Sequence, residues 1–189
     1  MTSYPRTVLA ALLLLGGAVH AAPASPCAGA ADDFAFWLGS WAVHTADGTL
    51  AGHNRITLAE GGCRIDEHWR SAGGGTGSSI NFRDPVDGLW EQVWHSPNGA
   101  FIRIRGGLQG PGDMLLEGVI HYLAQDAKAP FRGRWTLLED ERVRQYFEQQ
   151  DAEGLWQPWF EGFYTRVDVA ELPRAGQNAQ EGTEMGGEG

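Results

Sequence analysis

The rhythm of turn signals is what most restricts the fold of this chain. Asp47-Gly48, Glu60-Gly61-Gly62, Gly73-Gly74-Gly75, Asp84-Pro85 with Asp87-Gly88, Pro97-Asn98-Gly99, Gly110-Pro111-Gly112, Lys128-Ala129-Pro130, Asp140-Glu141 and Asp151 to Gly154 follow one another along the sequence. Gly offers positive φ, Pro presets φ, and Asp and Asn bond to nearby backbone, so each cluster favours a change of direction. Between them lie about ten short runs rich in aromatic and β-branched residues: 41–45, 53–58, 63–70, 77–83, 89–96, 100–107, 114–122, 131–138, 142–150 and 156–166. Residues 34–166 shared among ten strands give roughly 13 residues per strand and turn, the spacing of an antiparallel meander. Only Asp32-Asp33-Phe34-Ala35-Phe36-Trp37-Leu38, acidic residues ahead of an apolar cluster, predicts a helical turn, one that plugs an end of the sheet.

A meander of this length has two unpaired edges, and closure into a barrel removes both. About ten strands enclose slightly more room than side chains fill, leaving a modest cavity. The expected fold is therefore all-β: an antiparallel up-and-down barrel with a short N-terminal helical turn. The 8 Trp and 27 Gly of the 189 residues suit aromatic strands joined by tight corners.

The ends of the chain read differently. Arg6, the apolar run Val8 to Val19 and the small residues of Val19-His20-Ala21 predict a secretory signal peptide over 1–21, the run being too short to span a bilayer. An extension over 22–33 would lead into the barrel domain at 34–167, and the Gly, Glu, Gln and Asn of 168–189 read as a disordered acidic tail. Removing residues 1–21 from 189 leaves 168, enough for one domain with its own core, and moves the formal charge from −10 to −11. Such a balance argues against nucleic acid and anionic membrane surfaces as partners. The expected location is periplasmic or extracellular, with no membrane insertion after processing. Cys27 and Cys63 would there be either bridged, tying the N-terminal segment to a hairpin, or free thiols.

Phe36-Trp37-Leu38-Gly39-Ser40-Trp41 carries a Gly-x-Trp pattern that resembles the opening strand of lipocalins and related calycin barrels. That resemblance implies that Trp41 closes the barrel floor beneath a late arginine, and Tyr164-Thr165-Arg166 supplies Arg166. The chain is more closely similar to the DUF1579-type family of bacterial exported proteins. The similar stretches are Phe36 to Trp41, Gly52 to Ile56, Gly62-Cys63 with Glu67-His68-Trp69, Ser79 to Pro85, Trp90 to Trp94 and Gly162 to Tyr164. The resemblance implies a calycin-like fold and brings no activity with it.

Alternation along strands proposes the inward rows. If Trp41 and Val43 face in, the matching sets are Asn54, Ile56 and Leu58; Ile65, Glu67 and Trp69; Ser79 and Asn81; and Trp90, Gln92 and Trp94. On later strands Glu117 shares a face with His121, Gln145 with Phe147, and Phe160 with Gly162 and Tyr164. Aromatic walls with few polar atoms are the composition of a small-molecule pocket. Glu67, Trp69, Ser79, Asn81, Trp90, Gln92 and Trp94 are thus the candidate ligand-binding residues, and Glu67 is the candidate for any acid or base role. A buried carboxyl needs a partner such as Asn81 or an arginine, or else its pKa rises.

Metal and cofactor signals are weak. His44, His53, His68, His95 and His121 fall at spacings that do not align on one strand face, so no metal is expected. Haem-binding nitrobindins resemble such a barrel, but their axial histidine lies late in the chain; here no histidine follows His121, which leaves His121 or Tyr164 as remote candidates and no cofactor as the expectation. No Gly-x-Ser-x-Gly elbow is present, and Gly73 to Gly77 lacks the Lys and helix of a phosphate loop.

Three functions fit. The leading one is a barrel that binds a small apolar or aromatic molecule without catalysis. The second is a non-nucleophilic enzyme with Glu67 as acid or base and an interior Arg103 or Arg134 as anion clamp. The third is a structural or interaction protein with a packed barrel.

Overall fold

The structure, a computed structural model, describes Cys27, residues 30–97 and residues 99–172. The leader expected over 1–21 and most of the tail expected over 168–189 lie outside the described residues. Ten antiparallel strands are described: β1 (Gly39–His44), β2 (Leu50–Ala59), β3 (Arg64–Ser71), β4 (Thr76–Arg83), β5 (Trp90–His95), β6 (Ala100–Gly110), β7 (Asp113–Tyr122), β8 (Ala127–Leu137), β9 (Val143–Gln150) and β10 (Trp156–Arg166). Each pairs with its sequence neighbours, and β1 also pairs with β10, so the sheet is a closed barrel with no free edge.

Alternation specifies the wall. The inner face carries Val43, Ile56, Ile65, Ile102, Ile104, Met114, Leu116, Ile120, Phe131 and Val143, all 2% exposed or less. The outer face is held by cross-strand ion pairs such as Arg132 Nε to Glu148 at 2.7 Å and Arg144 Nε to Glu161 at 2.6 Å.

One end of the barrel is shut. A 3₁₀ helix over Ala30–Trp37 inserts Phe34 and Trp37, both fully buried, into the opening. Phe34 stacks on Trp37 with centroids 4.9 Å apart and meets Trp90 and Trp135 edge-on at 5.6 and 5.3 Å. Each such ring withdraws enough apolar surface to contribute about 1.5–3 kcal/mol. The floor is completed by Trp41, whose Nε1 donates to the Trp37 carbonyl at 2.9 Å. Gly39 in the Gly-x-Trp pattern has φ +141°, and a Cβ there would sit 2.5 Å from Arg166 Nη1, so glycine leaves room for the arginine to reach the indole. Cys27 and Cys63 are joined in a disulfide with Cα atoms 4.9 Å apart, which fastens the segment ahead of the plug to the β2–β3 connection.

The turn expected at Lys128-Ala129-Pro130 is not a turn. Pro130 lies inside β8 opposite Val119, and the chain reverses earlier, where Asp126 adopts φ 48°. Asp tolerates the left-handed region, so the reversal needs no glycine.

Candidate functional site

Opposite the plug, the barrel opens into a cavity of 220 Å³. Its walls are aromatic: Trp69 on β3, Trp94 on β5, Phe147 on β9, and Trp159 and Phe160 on β10. Ser71, Gly75, Thr76 and Ser96 form a polar rim, and Glu67, Gln145 and Tyr164 form the base.

Two local features make the space. Gly77 on β4 faces inward, and any Cβ there would collide with the ring of Trp94, so the glycine gives that indole its place. On β10 the register with β9 shifts between Pro158 and Phe160. Bulges of this kind put adjacent side chains on one face, here Trp159 and Phe160. Trp159 Nε1 donates to the Tyr122 hydroxyl at 3.0 Å, which fixes the indole at the mouth.

The β3 register puts Glu67 opposite Ile56 on β2 and Ser79 on β4. Glu67 is 4% exposed, and both carboxyl oxygens accept hydrogen bonds: Oε1 from Asn54 Nδ2 at 2.7 Å, Oε2 from Ser79 Oγ at 2.6 Å. Behind Ser79, Asn81 Nδ2 donates to Ser79 Oγ at 2.9 Å and Gln92 Nε2 donates to Asn81 Oδ1 at 2.8 Å. On the other side Asn54 Nδ2 also reaches the Tyr164 hydroxyl at 3.3 Å, and that hydroxyl donates to Gln145. None of these partners is a cation. Burial therefore raises the Glu67 pKa above the usual carboxyl range, against the lowering effect of Ser79 and then Asn54. The Tyr164 phenol is also pushed up, first by burial and then by the Glu67 charge.

The predicted residues divide into groups. Glu67, Trp69 and Trp94 line the cavity. Ser79, Asn81 and Gln92 are buried beneath it as the hydrogen-bonded support of Glu67. Trp90 packs at the shut end, against Phe34, with Nε1 donating to Asp33 at 3.3 Å. Trp41 and Arg166 meet at the floor, with the guanidinium carbon 4.3 Å from the indole centroid.

Several expectations need correction. Arg103 and Arg134 are not interior: they lie on the outer face, 63% and 48% exposed, paired with Glu91 and Asp113. Strand parity decides this, because Ile102 and Ile104 take the inward positions of β6. Glu117 and His121 do share a face as expected, and it is the outer face of β7, whose buried positions are Met114, Leu116 and Ile120. Leu58 has inward parity but lies near the end of β2 and is 49% exposed.

Sequence reasoning missed Trp159, Ile102 and the rim residues Ser71, Gly75, Thr76 and Ser96. Ile102 followed from simple alternation. For Trp159 the available signal was Pro158 inside a strand, because proline there accompanies bulges.

No family model matches the chain, and no curated protein matches it. Among solved structures it is similar to that described as the crystal structure of Rv2717c from M. tuberculosis, at 14% identity, covering 74% of this chain and 98% of that chain with a TM-score of 0.48.

Proposed function

We propose that the barrel binds a small, largely apolar or aromatic molecule in the cavity at its open end. The observation that carries this is the cavity itself, 220 Å³ walled by three indoles and two phenyl rings over a few polar atoms. Ligand sites share that composition. A cavity of about 150 Å³ already accepts benzene, so a ligand of one or two rings matches the space. The open interior weighs against the packed-barrel alternative. Titration of tryptophan fluorescence with a panel of lipids, quinones and aromatic acids tests the reading. Saturable quenching supports it, and a flat response across the panel contradicts it.

Acid or base chemistry at Glu67 stays as the second reading, because the carboxyl borders the cavity and burial raises its pKa. That reading loses its anion clamp, since Arg103 and Arg134 point outward. Any such substrate would be neutral or cationic.

Membership of the DUF1579-type, calycin-like group and export to an oxidising compartment complete the proposal. The first is supported by the resembling stretches within a ten-strand barrel. The second is supported by the apolar run Val8 to Val19 and the Cys27–Cys63 bridge, since disulfides persist mainly outside the cytosol. Free thiols at both cysteines in protein taken from its own cells would contradict export.

A further inference from the structure

Charge around the cavity is one-sided. Its ionisable lining groups are Glu67 and Tyr164, with no Lys, Arg or His among the described lining residues. Arg103, Arg132, Arg134 and Arg144 all spend their charge on outer-face carboxylates. An anion entering the cavity would thus meet a carboxyl and find no cation.

The side-chain hydrogen bonds from β5 through β4 to Glu67 share one direction. Gln92 donates to Asn81, and Asn81 donates to Ser79. The Ser79 hydroxyl accepts there, which leaves its own proton for Glu67 Oε2 at 2.6 Å. Asn54 Nδ2 supplies the proton on Oε1 at 2.7 Å. Both oxygens are therefore arranged as acceptors, as a carboxylate requires, and each keeps a second lone-pair position. What the carboxylate lacks is a countercharge, and a buried charge held only by neutral donors is costly. Above it stand Trp69, Trp94 and Trp159, the ring type whose face attracts cations most strongly.

We propose that the cavity is a site for a small organic cation: an ammonium group on a one- or two-ring body, with the ammonium on Glu67 and the rings between Trp69, Trp94 and Trp159. This rests on the ligand-binding reading and narrows it to a charge class. The net charge of −10 draws such cations toward the protein. Anions of the same size are refused.

The proton on Glu67 competes with the ammonium. Around Glu67 stand Asn54 on β2 and Ser79 on β4, both bonded to it, and Tyr164 on β10 with its partner Gln145 on β9; of these only Tyr164 titrates, and its phenol is raised. Affinity for an ammonium therefore rises with pH as Glu67 ionises, until the amine loses its own proton.

Three probes of one shape test the proposal by calorimetry on the whole protein: phenethylammonium, 2-phenylethanol and phenylacetate. At about pH 7.5 the ammonium is expected to bind at least about tenfold more tightly than the alcohol, with the carboxylate weakest. In Glu67→Gln the ammonium loses that advantage over the alcohol. If the unsubstituted protein binds the alcohol as tightly as the ammonium, the cation assignment is overturned and the ligand-binding reading stands. If none of the three binds, both fall. The unsubstituted protein gives a second check: ammonium affinity that rises with pH while the amine stays protonated, against a flat profile for the alcohol, supports the proposal, and a flat ammonium profile overturns it.

Discussion

The guanidinium of Arg166 lies over the indole of Trp41, 4.3 Å from the ring centroid, and its Nη1 donates to the Leu38 carbonyl at 2.8 Å. One side chain at the end of β10 thereby ties the first strand to the last and holds the chain leaving the plug. Arg166→Ala is expected to cost about 1–2 kcal/mol, a cation–π contact plus a charge-assisted hydrogen bond. Arg166→Lys should recover part of the loss, since an ammonium keeps the charge without the planar stacking face. Urea titration of both variants measures it; an alanine variant as stable as the parent would show that strand pairing alone closes the barrel.

The Cys27–Cys63 bridge spans a sequence separation of 36. Cross-linking a loop of that length restricts the unfolded chain and stabilises by about 2–4 kcal/mol. Cys27→Ser with Cys63→Ser should lower the melting temperature and leave the strand circular dichroism intact, because the barrel closes through its own ladders. Loss of the β signal in the double variant would mean that the plug cannot seat without its tether.

Glu67 should make stability depend on pH in an unusual direction. Its folded pKa is raised above the ordinary 4.5, so between the two values the unfolded chain has lost a proton that the folded one keeps. Its contribution is fully present below the unfolded value and is lost as pH rises through the folded one. Glu67→Gln removes that slope. Relative to the parent, the variant should gain stability as the pH is raised from about pH 4 to about pH 8. Urea midpoints for both proteins across that range check the sign, and a constant difference would mean that the folded carboxyl titrates normally.

Gly77 makes room for Trp94, and its φ is not in the left-handed region, so a substitution acts through space rather than through backbone strain. Gly77→Ala should push the indole into the cavity, shift tryptophan emission and weaken ligand binding at least about tenfold, with a stability loss of about 1–3 kcal/mol from overpacking. Unchanged emission and affinity would show that Trp94 has another place to go.

Much of the barrel was legible because turn chemistry and alternation act locally. Asp47-Gly48, Gly73 to Gly75 and Asp151 to Gly154 each separate two observed strands, and the Trp69 and Trp94 rows follow a period of two. What escaped depends on longer range. Trp90 obeys the inward alternation, yet only the position of the plug decides that it belongs to the shut end rather than the cavity. Trp159 escaped because a bulge breaks the period at that residue. Pro130 misled because a proline inside a strand resembles a turn, whereas the real reversal uses the positive φ of Asp126. Arg103 and Arg134 were candidates for the interior until the parity of their strands turned them to solvent.

The central claim is that ligands enter the cavity bounded by Glu67, Trp94 and Trp159, and filling that cavity tests it most directly. Ile102 lines it from β6, and Ile102→Trp would push a larger ring system into its 220 Å³. Calorimetric titration of the parent with a one-ring aromatic amine should give saturable binding at one ligand per chain, and the same titration of a folded Ile102→Trp variant should give binding weakened at least about tenfold. Equal binding by the two proteins, or no binding by the parent, would contradict the account.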